Sequence, residues 1–199
     1  MSTRYVDVVN TALPGKGIHV VDGTRTRLVE SALRLLREEG LDAVTLRAVG
    51  DLAGLSRTAP YRHFADKTAL LAALAVRVIT DLSAHVAAAV LAAETPRDRL
   101  RAFYLSYVEY AVAHPEEYRL VFASEFVVGH HPDLETAIDQ VMTALDMEGP
   151  WEGPVPKARV MALFSTAHGL AELAVAGQFS HKGIGYSDVV DVLVNPGER

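Results

Sequence analysis

Residues 55–67 of the chain, LSRTAPYRHFADK, concentrate side chains that bind anions. Three cations, Arg57, Arg62 and Lys67, stand against the single acid Asp66. Between them lie further hydrogen-bond donors: Thr58, Tyr61 and His63. Guanidinium, ammonium, hydroxyl and imidazole groups donate to phosphate oxygens, and arginine also pairs with two acceptors on the edge of a guanine. These residue types therefore indicate contact with a polyanion.

A proline lies near the start of the short helix predicted for this stretch. Proline costs about 3 kcal/mol inside a helix, whereas the first turn accepts it because the N–H there has no intrahelical partner. If Ser56 is the N-cap, Pro60 is the fourth helical residue and one hydrogen bond is lost. If Thr58 is the N-cap, Pro60 is the second residue and none is lost. We favour the second register, or a tightened first turn that blends the two.

The rest of the chain reads as helical almost throughout, and we find no convincing alternating strand pattern. Helices are predicted over about 22–40, 46–53, 56–64, 66–93, 96–114, 116–125, 132–147, 157–176 and 187–194. Residues 1–21 contain Pro14, Gly15 and Gly17 and are predicted to be an extended or mobile arm, and 148–156 to be a loop. The predicted fold class is all-α, with about nine helices.

The composition narrows the class of protein. The formal net charge is −6, yet residues 1–68 carry ten Lys or Arg and eight Asp or Glu, a balance of +2, while 69–199 carry nine and seventeen, a balance of −8. Local charge decides contact with a polyanion, so the acidic total does not exclude it. The absence of cysteine excludes disulfides and thiolate zinc sites. Without a signal peptide or a run of about 20 apolar residues, we expect a soluble cytoplasmic protein with no membrane partner.

Three predicted helices between residues 22 and 68 have the proportions of a helix-turn-helix, because only Gly54, Leu55 and Ser56 join the second to the third. In this motif the later helix of the pair enters the major groove of DNA, and its partner braces it across the phosphate backbone. The small core behind them is predicted to consist of Leu46, Val49, Leu52, Leu55 and Phe64.

Several short motifs in this segment resemble one family. Residues 45–56, TLRAVGDLAGLS, and 61–67, YRHFADK, are similar to the DNA-binding domain of the TetR family of transcriptional repressors. The Thr-x-Arg start, the Ala-Gly-x-Ser turn and the Tyr-x-His-Phe-x-x-Lys ending all fall at the family's spacing, over about residues 22–72. One departure is Gly50, where the family usually has alanine; glycine costs about 0.5–1 kcal/mol there.

The resemblance implies that nine side chains contact DNA: Thr45, Arg47, Ser56, Arg57, Thr58, Tyr61, Arg62, His63 and Lys67. By this resemblance, Thr45 and Ser56 cap their helices and Arg47 braces the backbone. Tyr61 donates to a phosphate, and Lys67 favours a phosphate at the start of the next helix.

Base reading falls to the remaining candidates. Arg57, Thr58 and Arg62 are the residues that the resemblance assigns to base edges, and which of them reads and which clamps stays open. His63 is open between packing and phosphate contact, whereas Phe64 is predicted to be core.

Residues 69–199 are predicted to form a larger helical domain that binds a small-molecule effector and dimerises, as the family's second domains do. The predicted ligand-binding residues are Tyr104, Tyr107, Phe122, Phe126, Phe164 and His168. Aromatic residues at helical spacing are also typical of an ordinary core, so both interpretations stay open. His168-Gly169 resembles a His-Gly pair in the penultimate helix of many TetR-type proteins, with Phe164 in place of a tryptophan that often precedes it.

The helix predicted over 157–176 is apolar nearly all round, which indicates burial in a core or a subunit interface. Resemblance to the family implies that the last two long helices pair with their copies in a two-fold homodimer. Such a dimer presents two reading helices and fits a palindromic operator on double-stranded DNA.

The first functional hypothesis is therefore a ligand-responsive transcriptional repressor. The alternative is a helical small-molecule-binding or interaction protein with a vestigial DNA-binding domain, which the overall acidity and Gly50 favour weakly. We predict no cofactor and no enzymatic activity, since no Ser/His/Asp framework, phosphate-cradling loop or dinucleotide fingerprint is present in the sequence. The loop residues His130, His131 and Asp133 have metal-ligand types, but no second ligand set accompanies them, so no metal site is predicted.

Overall fold

The computed structural model of the 199-residue chain describes residues 23–122, 136–137, 157–195 and 197. In these residues all regular structure is helical, which confirms the all-α prediction. The predicted arm at 1–21, the predicted loop at 148–156 and most of the helix predicted over 132–147 lie outside the described residues.

Nine α-helices have described bounds, and a 3-10 turn, Leu41–Ala43, follows the first of them. The helices are α1 Gly23–Glu39, α2 Leu46–Leu52, α3 Ala59–His63, α4 Lys67–Ala92, α5 Pro96–Ala113, α6 Pro115–Phe122, α7 Lys157–Val175, α8 Gln178–Lys182 and α9 Tyr186–Val194. The sequence did not predict α8, which has only five residues between two left-handed glycines, Gly177 (φ 70°) and Gly183 (φ 65°). A helix this short shows no 3.6-residue apolar period.

Side-chain caps fix the starts of three helices, and the cap at Thr45 was predicted from the sequence. Thr45 Oγ1 accepts the amide of Ala48 at 3.1 Å, and Thr95 Oγ1 accepts that of Asp98 at 3.1 Å. Asp66 Oδ1 accepts the amide of Ala69 at 2.8 Å. Each cap satisfies an N–H that has no partner in the first turn of a helix.

Contacts divide the described residues into two compact units. The first contains 23–80, 116–122 and 136–137, and the second contains 81–115, 157–195 and 197. The boundary falls within α4, between Thr80 and Asp81. The stretch predicted as the DNA-binding domain, 22–68, lies in the first unit from residue 23 onward.

The core of the first unit is formed where α1 packs on α2 and α3. The apolar stripe of α1 is buried, with Leu28, Ala32 and Leu36 fully shielded, and Phe64, which was predicted to be core, is 3% exposed. Leu52 was predicted to join this core, and that prediction is wrong, since its side chain is 37% exposed. The buried face of α2 contains positions 46, 49 and 53, spaced by three and four residues, and position 52 turns about 100° away from position 53.

In the second unit, α5 packs on α7 and on α9. The shared core includes Tyr107 and Val108 of α5, Ala167 and Ala171 of α7 and, from α9, Val190.

By length and composition alone, α4 could cross a membrane. It contains Arg77, Asp81 and His85, and its Leu70 and Leu74 are fully buried within the protein. Long core helices have the same composition, so this feature does not indicate a membrane span.

Candidate nucleic-acid interface

The turn after α2 is closed by the hydrogen bonds of a Schellman motif. Gly54 adopts a left-handed conformation (φ 66°), which glycine reaches without steric cost. The amide of Leu55 donates to the carbonyl of Gly50 at 3.0 Å, and the amide of Gly54 donates to that of Asp51 at 3.1 Å. Arg27 of α1 donates to the carbonyl of Ala53. The end of α2 is therefore held from two directions.

The start of α3 confirms the second register of the proline. Thr58 is the N-cap residue and Pro60 is the second helical residue, where no intrahelical hydrogen bond is lost. The first turn is tightened, because the amide of Ala59 donates to the Ser56 carbonyl at 3.0 Å. Ser56 was predicted to cap its helix with its side chain, and that prediction is wrong: its hydroxyl lies 3.4 Å from the hydroxyl of Thr58 instead.

Eight of the nine predicted DNA-contacting residues lie on α2, on α3 or in the segments beside them, and Lys67 is the first residue of α4. Exposed side chains make up most of the set: Thr45, Arg47, Ser56, Arg57, Thr58, Tyr61 and Arg62. His63 and Lys67 are half-buried. Tyr61 is 58% exposed, which is high for an aromatic residue and leaves its hydroxyl accessible to a ligand.

The cations of this surface differ in what holds them. Arg47 Nε lies 3.8 Å from Asp51 Oδ2, one helical turn away. Lys67 Nζ donates to the carbonyl of Leu41 at 3.4 Å. Arg57 and Arg62 form no ion pair with any other described residue. Their guanidinium groups are available to an anionic partner.

Two arginines of α1 also support this surface, and the sequence did not predict them. The Arg25 guanidinium lies 5.2 Å above the centre of the Phe64 ring, a cation–π contact. Arg27 holds the end of α2, as described above. Both contacts join residues far apart in the chain, and no short-range motif signals them.

A second group of predicted residues meets in the second unit. The Tyr107 and Phe164 rings pack edge-to-face with centres 6.1 Å apart, and Phe164 stacks on His168 at 5.9 Å. Tyr104 is buried, and the side chain of Thr166 influences its phenol. Burial raises the pKa of the Tyr104 phenol above its ordinary value of 10.0, and the Thr166 side chain acts in the opposite direction.

Two predicted ligand residues remain, Phe122 and Phe126. Phe122 lies in the first unit, where its ring packs on Tyr118 with centres 4.8 Å apart. Phe126 lies outside the described residues. So do the three loop residues for which no metal site was predicted, His130, His131 and Asp133. Within the part of the chain that is described, no group of three metal-ligating side chains occurs.

Comparison with known families identifies both halves of the chain. The family model "Bacterial regulatory proteins, tetR family" matches residues 28–74, which include α2, α3 and the start of α4. A second model, "Tetracyclin repressor-like, C-terminal domain", matches residues 100–195. The two matches together cover more than half of the chain.

Individual relatives agree with these matches. The chain is 28% identical over 106 residues to the HTH-type transcriptional activator FasR of Mycolicibacterium smegmatis, covering 53% of this chain and 48% of that one. It is 36% identical over 78 residues to the HTH-type transcriptional regulator BetI of Rhizobium meliloti, covering 39% and 38%. The chain thus spans half or less of the length of the curated relatives that it matches.

A solved structure is similar along nearly the whole chain. A protein of unknown function from Rhodococcus sp. RHA1 superposes with a TM-score of 0.71 at 29% sequence identity, covering 92% of this chain and 96% of that one. The similarity therefore extends well beyond the helix-turn-helix.

Proposed function

Because the chain belongs to the TetR family of transcriptional regulators, we propose that it is a ligand-responsive repressor that binds a palindromic operator as a homodimer. It would act in the cytoplasm, where its DNA is. The observation that carries the proposal is the exposed, cationic surface of the short helix α3 and the turn before it. Each part of the proposal has its own support.

DNA binding is supported by two features of α3: the helix is held firmly at both ends, and two arginines at its surface have no acidic partner among the described residues. The turn before α3 is closed by backbone hydrogen bonds, and Phe64 anchors the far end of the helix in the core. Arg57, in the turn before α3, and Arg62, on α3, are exposed and have no acidic partner among the described residues. Half or more of protein–DNA hydrogen bonds go to phosphate and sugar, and the rest read base edges. This surface offers donors for both.

The way in which each side chain is held indicates which residues contact phosphates and which contact base edges. Lys67 is tethered at the Leu41 carbonyl, and its other N–H groups are free to donate, which suits a fixed phosphate contact. Tyr61 has an exposed hydroxyl for the same purpose. Arg57, Thr58 and Arg62 are candidates for base reading, because an untethered guanidinium can align with guanine.

The homodimer is supported by apolar side chains on the surface of the last long helices. Met161 and Leu173 of α7 are 49% and 47% exposed, and Val192 and Leu193 of α9 are 68% and 43% exposed. Small exposed residues on α7, among them Gly169, permit close helix approach. A second copy of the same surface would cover these side chains in an isologous interface.

Ligand response is proposed for the cluster of Tyr107, Phe164 and His168, with Tyr104 beside it. Its aromatic rings and few polar groups are typical of small-molecule sites between helices. Effector binding would shift the dimer toward a spacing of the two α3 helices that no longer matches the operator. We propose repression and not activation because the family that the chain resembles is one of repressors. A reporter gene placed behind the operator distinguishes the two.

Footprinting on the DNA that flanks the chain's own gene tests the proposal, and a protected palindrome is expected. Arg57→Ala should then cost about 1–3 kcal/mol of operator binding and relax specificity at one base pair. Lys67→Ala should weaken binding to all sequences alike and reduce the salt slope by about one.

Arg34→Ala provides a matched control, since Arg34 is an exposed arginine on α1 that pairs with Glu38. It removes one positive charge from the protein and should leave specificity and footprint unchanged. If no palindrome is protected even at modest salt, the DNA-binding proposal fails. If Arg57→Ala and Lys67→Ala behave identically, the assignment of base and phosphate contacts is wrong.

A further inference from the structure

Gly50 of α2 and Pro60 of α3 meet in a contact that leaves no room for a side chain. A Cβ atom placed on Gly50 would lie 2.6 Å from Pro60 Cγ and 3.4 Å from Pro60 Cδ. Carbon atoms in favourable contact are about 3.5–4.0 Å apart, so alanine does not fit at position 50 while Pro60 stays in place. Gly50 has no positive φ. Glycine is therefore needed here for space and not for backbone conformation.

The proline makes this contact rigid. A flexible side chain at position 60 could turn away from an added methyl group, but the proline ring is bonded to its own backbone nitrogen. A change of ring pucker moves Cγ by only a fraction of an ångström, so full relief of the overlap requires α2 and α3 to move apart. Pro60 is buried, and the Gly50 carbonyl is held by the amide of Leu55 at 3.0 Å. Neither helix can yield easily at this point.

We propose that Gly50 and Pro60 form a matched pair of positioning residues that sets where α3 lies, and with it Tyr61 and Arg62. This inference rests on the proposed DNA-binding function. Because α3 has only five residues and Tyr61 directly follows Pro60, a shift of the proline is passed to the contact residues. Binding groups need to be held within about 0.5 Å of their productive geometry.

A double-mutant cycle of Gly50→Ala and Pro60→Ala tests the pair, with binding measured on the DNA fragment that the wild type protects. Gly50→Ala should weaken operator binding about tenfold or more, and Pro60→Ala, which opens space between the helices and creates no overlap, should weaken it by a smaller factor. In the double variant the space for the methyl group is restored, so its affinity should return to within about threefold of wild type. Far-UV circular dichroism confirms that each variant is folded at the temperature of the assay.

Binding to an unrelated duplex separates positioning from loss of stability. Non-specific binding depends on charge and salt and does not require α3 to be aligned with base edges. Gly50→Ala should therefore keep its non-specific affinity and lose only operator affinity. An operator affinity equal to wild type, an equal loss on both duplexes, or no recovery in the double variant would overturn the proposal.

Thermal unfolding of the same four proteins keeps this inference apart from the proposed function. If the wild type protects no DNA, the proposed function fails. Thermal unfolding alone then tests whether Gly50 and Pro60 form a matched pair. If the two residues are a matched pair, Gly50→Ala lowers the temperature of the unfolding midpoint, and adding Pro60→Ala reverses that decrease. Midpoints that simply add would show that the two residues are not paired.

Discussion

Each compact unit contains an arginine–carboxylate pair that joins two helices far apart in the sequence, and the two pairs differ in burial. In the first unit Arg37 Nε of α1 lies 2.5 Å from Glu117 Oε1 of α6, and the Glu117 side chain is only 1% exposed. In the second unit Arg101 of α5 donates to both carboxylate oxygens of Asp191 of α9, at 2.6 and 3.4 Å. The side chains of this second pair are 43% and 45% exposed.

The difference shows that the contribution of a salt bridge to folding stability depends on how much water reaches its charged groups. A carboxylate taken out of water depends on its partner, and removal of that partner leaves an uncompensated buried charge. A half-exposed carboxylate is solvated whether or not it is paired, so the pair contributes little. Similar chemical groups at similar distances therefore hold α6 in the first unit firmly and α9 in the second only weakly.

Arg37→Ala is expected to have the largest effect. Breaking a buried pair by removing one partner costs about 3–5 kcal/mol. We expect about 3 kcal/mol here, because the Arg37 side chain is itself 46% exposed and Glu117 makes further interactions. Urea unfolding of the variant and the wild type measures the loss as a lower midpoint at an unchanged slope.

Two other variants sharpen the comparison. Glu117→Gln keeps the shape and removes the buried charge, so adding it to Arg37→Ala should recover part of the lost stability. Arg77→Ala is the matched control, because Arg77 pairs with Glu30 in the same unit and both side chains are well exposed. It should cost less than about 1 kcal/mol. Equal losses in Arg37→Ala and Arg77→Ala would contradict the role given to burial.

Neither pair could be predicted from the sequence, whereas most helices could. Helix caps such as Thr45 and Thr95 act within four residues, so a short window of sequence contains the whole signal. Arg37 and Glu117 are 80 positions apart, and Arg101 and Asp191 are 90 apart. Glu117 reads in the sequence as an ordinary surface residue at the start of a helix. Contacts of that range depend on the tertiary fold, which local patterns do not encode.

The candidate DNA-binding surface shows the same limit at a smaller scale. The register of Pro60 was predicted correctly, because the first turn of a helix has its own rule for proline. Gly50 was assigned only a cost in helix stability, since its benefit comes from a neighbour on the next helix. Leu52 was placed in the core by residue type, although it lies off the buried face of α2, about 100° from Ala53, which argued against that placement. Residue contacts with DNA stay predictions.

The outward faces of the two units also differ, and this contrast leads to the second prediction. The first unit exposes Arg57 and Arg62, whereas the second exposes Met161 and Leu173. If α7 forms a two-fold interface, Leu173→Glu buries one new charge from each subunit. We expect at least about 2 kcal/mol of lost association, or roughly a thirtyfold higher dissociation constant. Sedimentation velocity over a range of protein concentrations measures it.

Val112→Glu is the matched control for the dimer. Val112 is an exposed valine of the same unit, at 45%, but it lies on α5 and not on α7 or α9. It should leave the dimer intact. A wild type that is monomeric at micromolar concentration would contradict the homodimer itself. Two glutamate variants that dissociate to the same extent would show that α7 is not specific to the interface.

The smallest effect is expected for Asp191→Asn, and it should depend on pH. The hydrogen bonds from Arg101 hold the pKa of Asp191 below its ordinary value of 3.8. A lowered pKa in the folded state contributes stability that is present above the unfolded pKa and is lost as the pH falls through the folded value. The melting temperature of the wild type should therefore exceed that of Asp191→Asn slightly at pH 6, and the difference should shrink as the pH falls below 3.8 and through the lowered folded pKa. Because Arg101→Ala removes the same pair, it should shift stability by a similar small amount and add nothing to Asp191→Asn. A difference that stays constant into acid, or one as large as that of Arg37→Ala, would mean that exposure does not separate the two pairs.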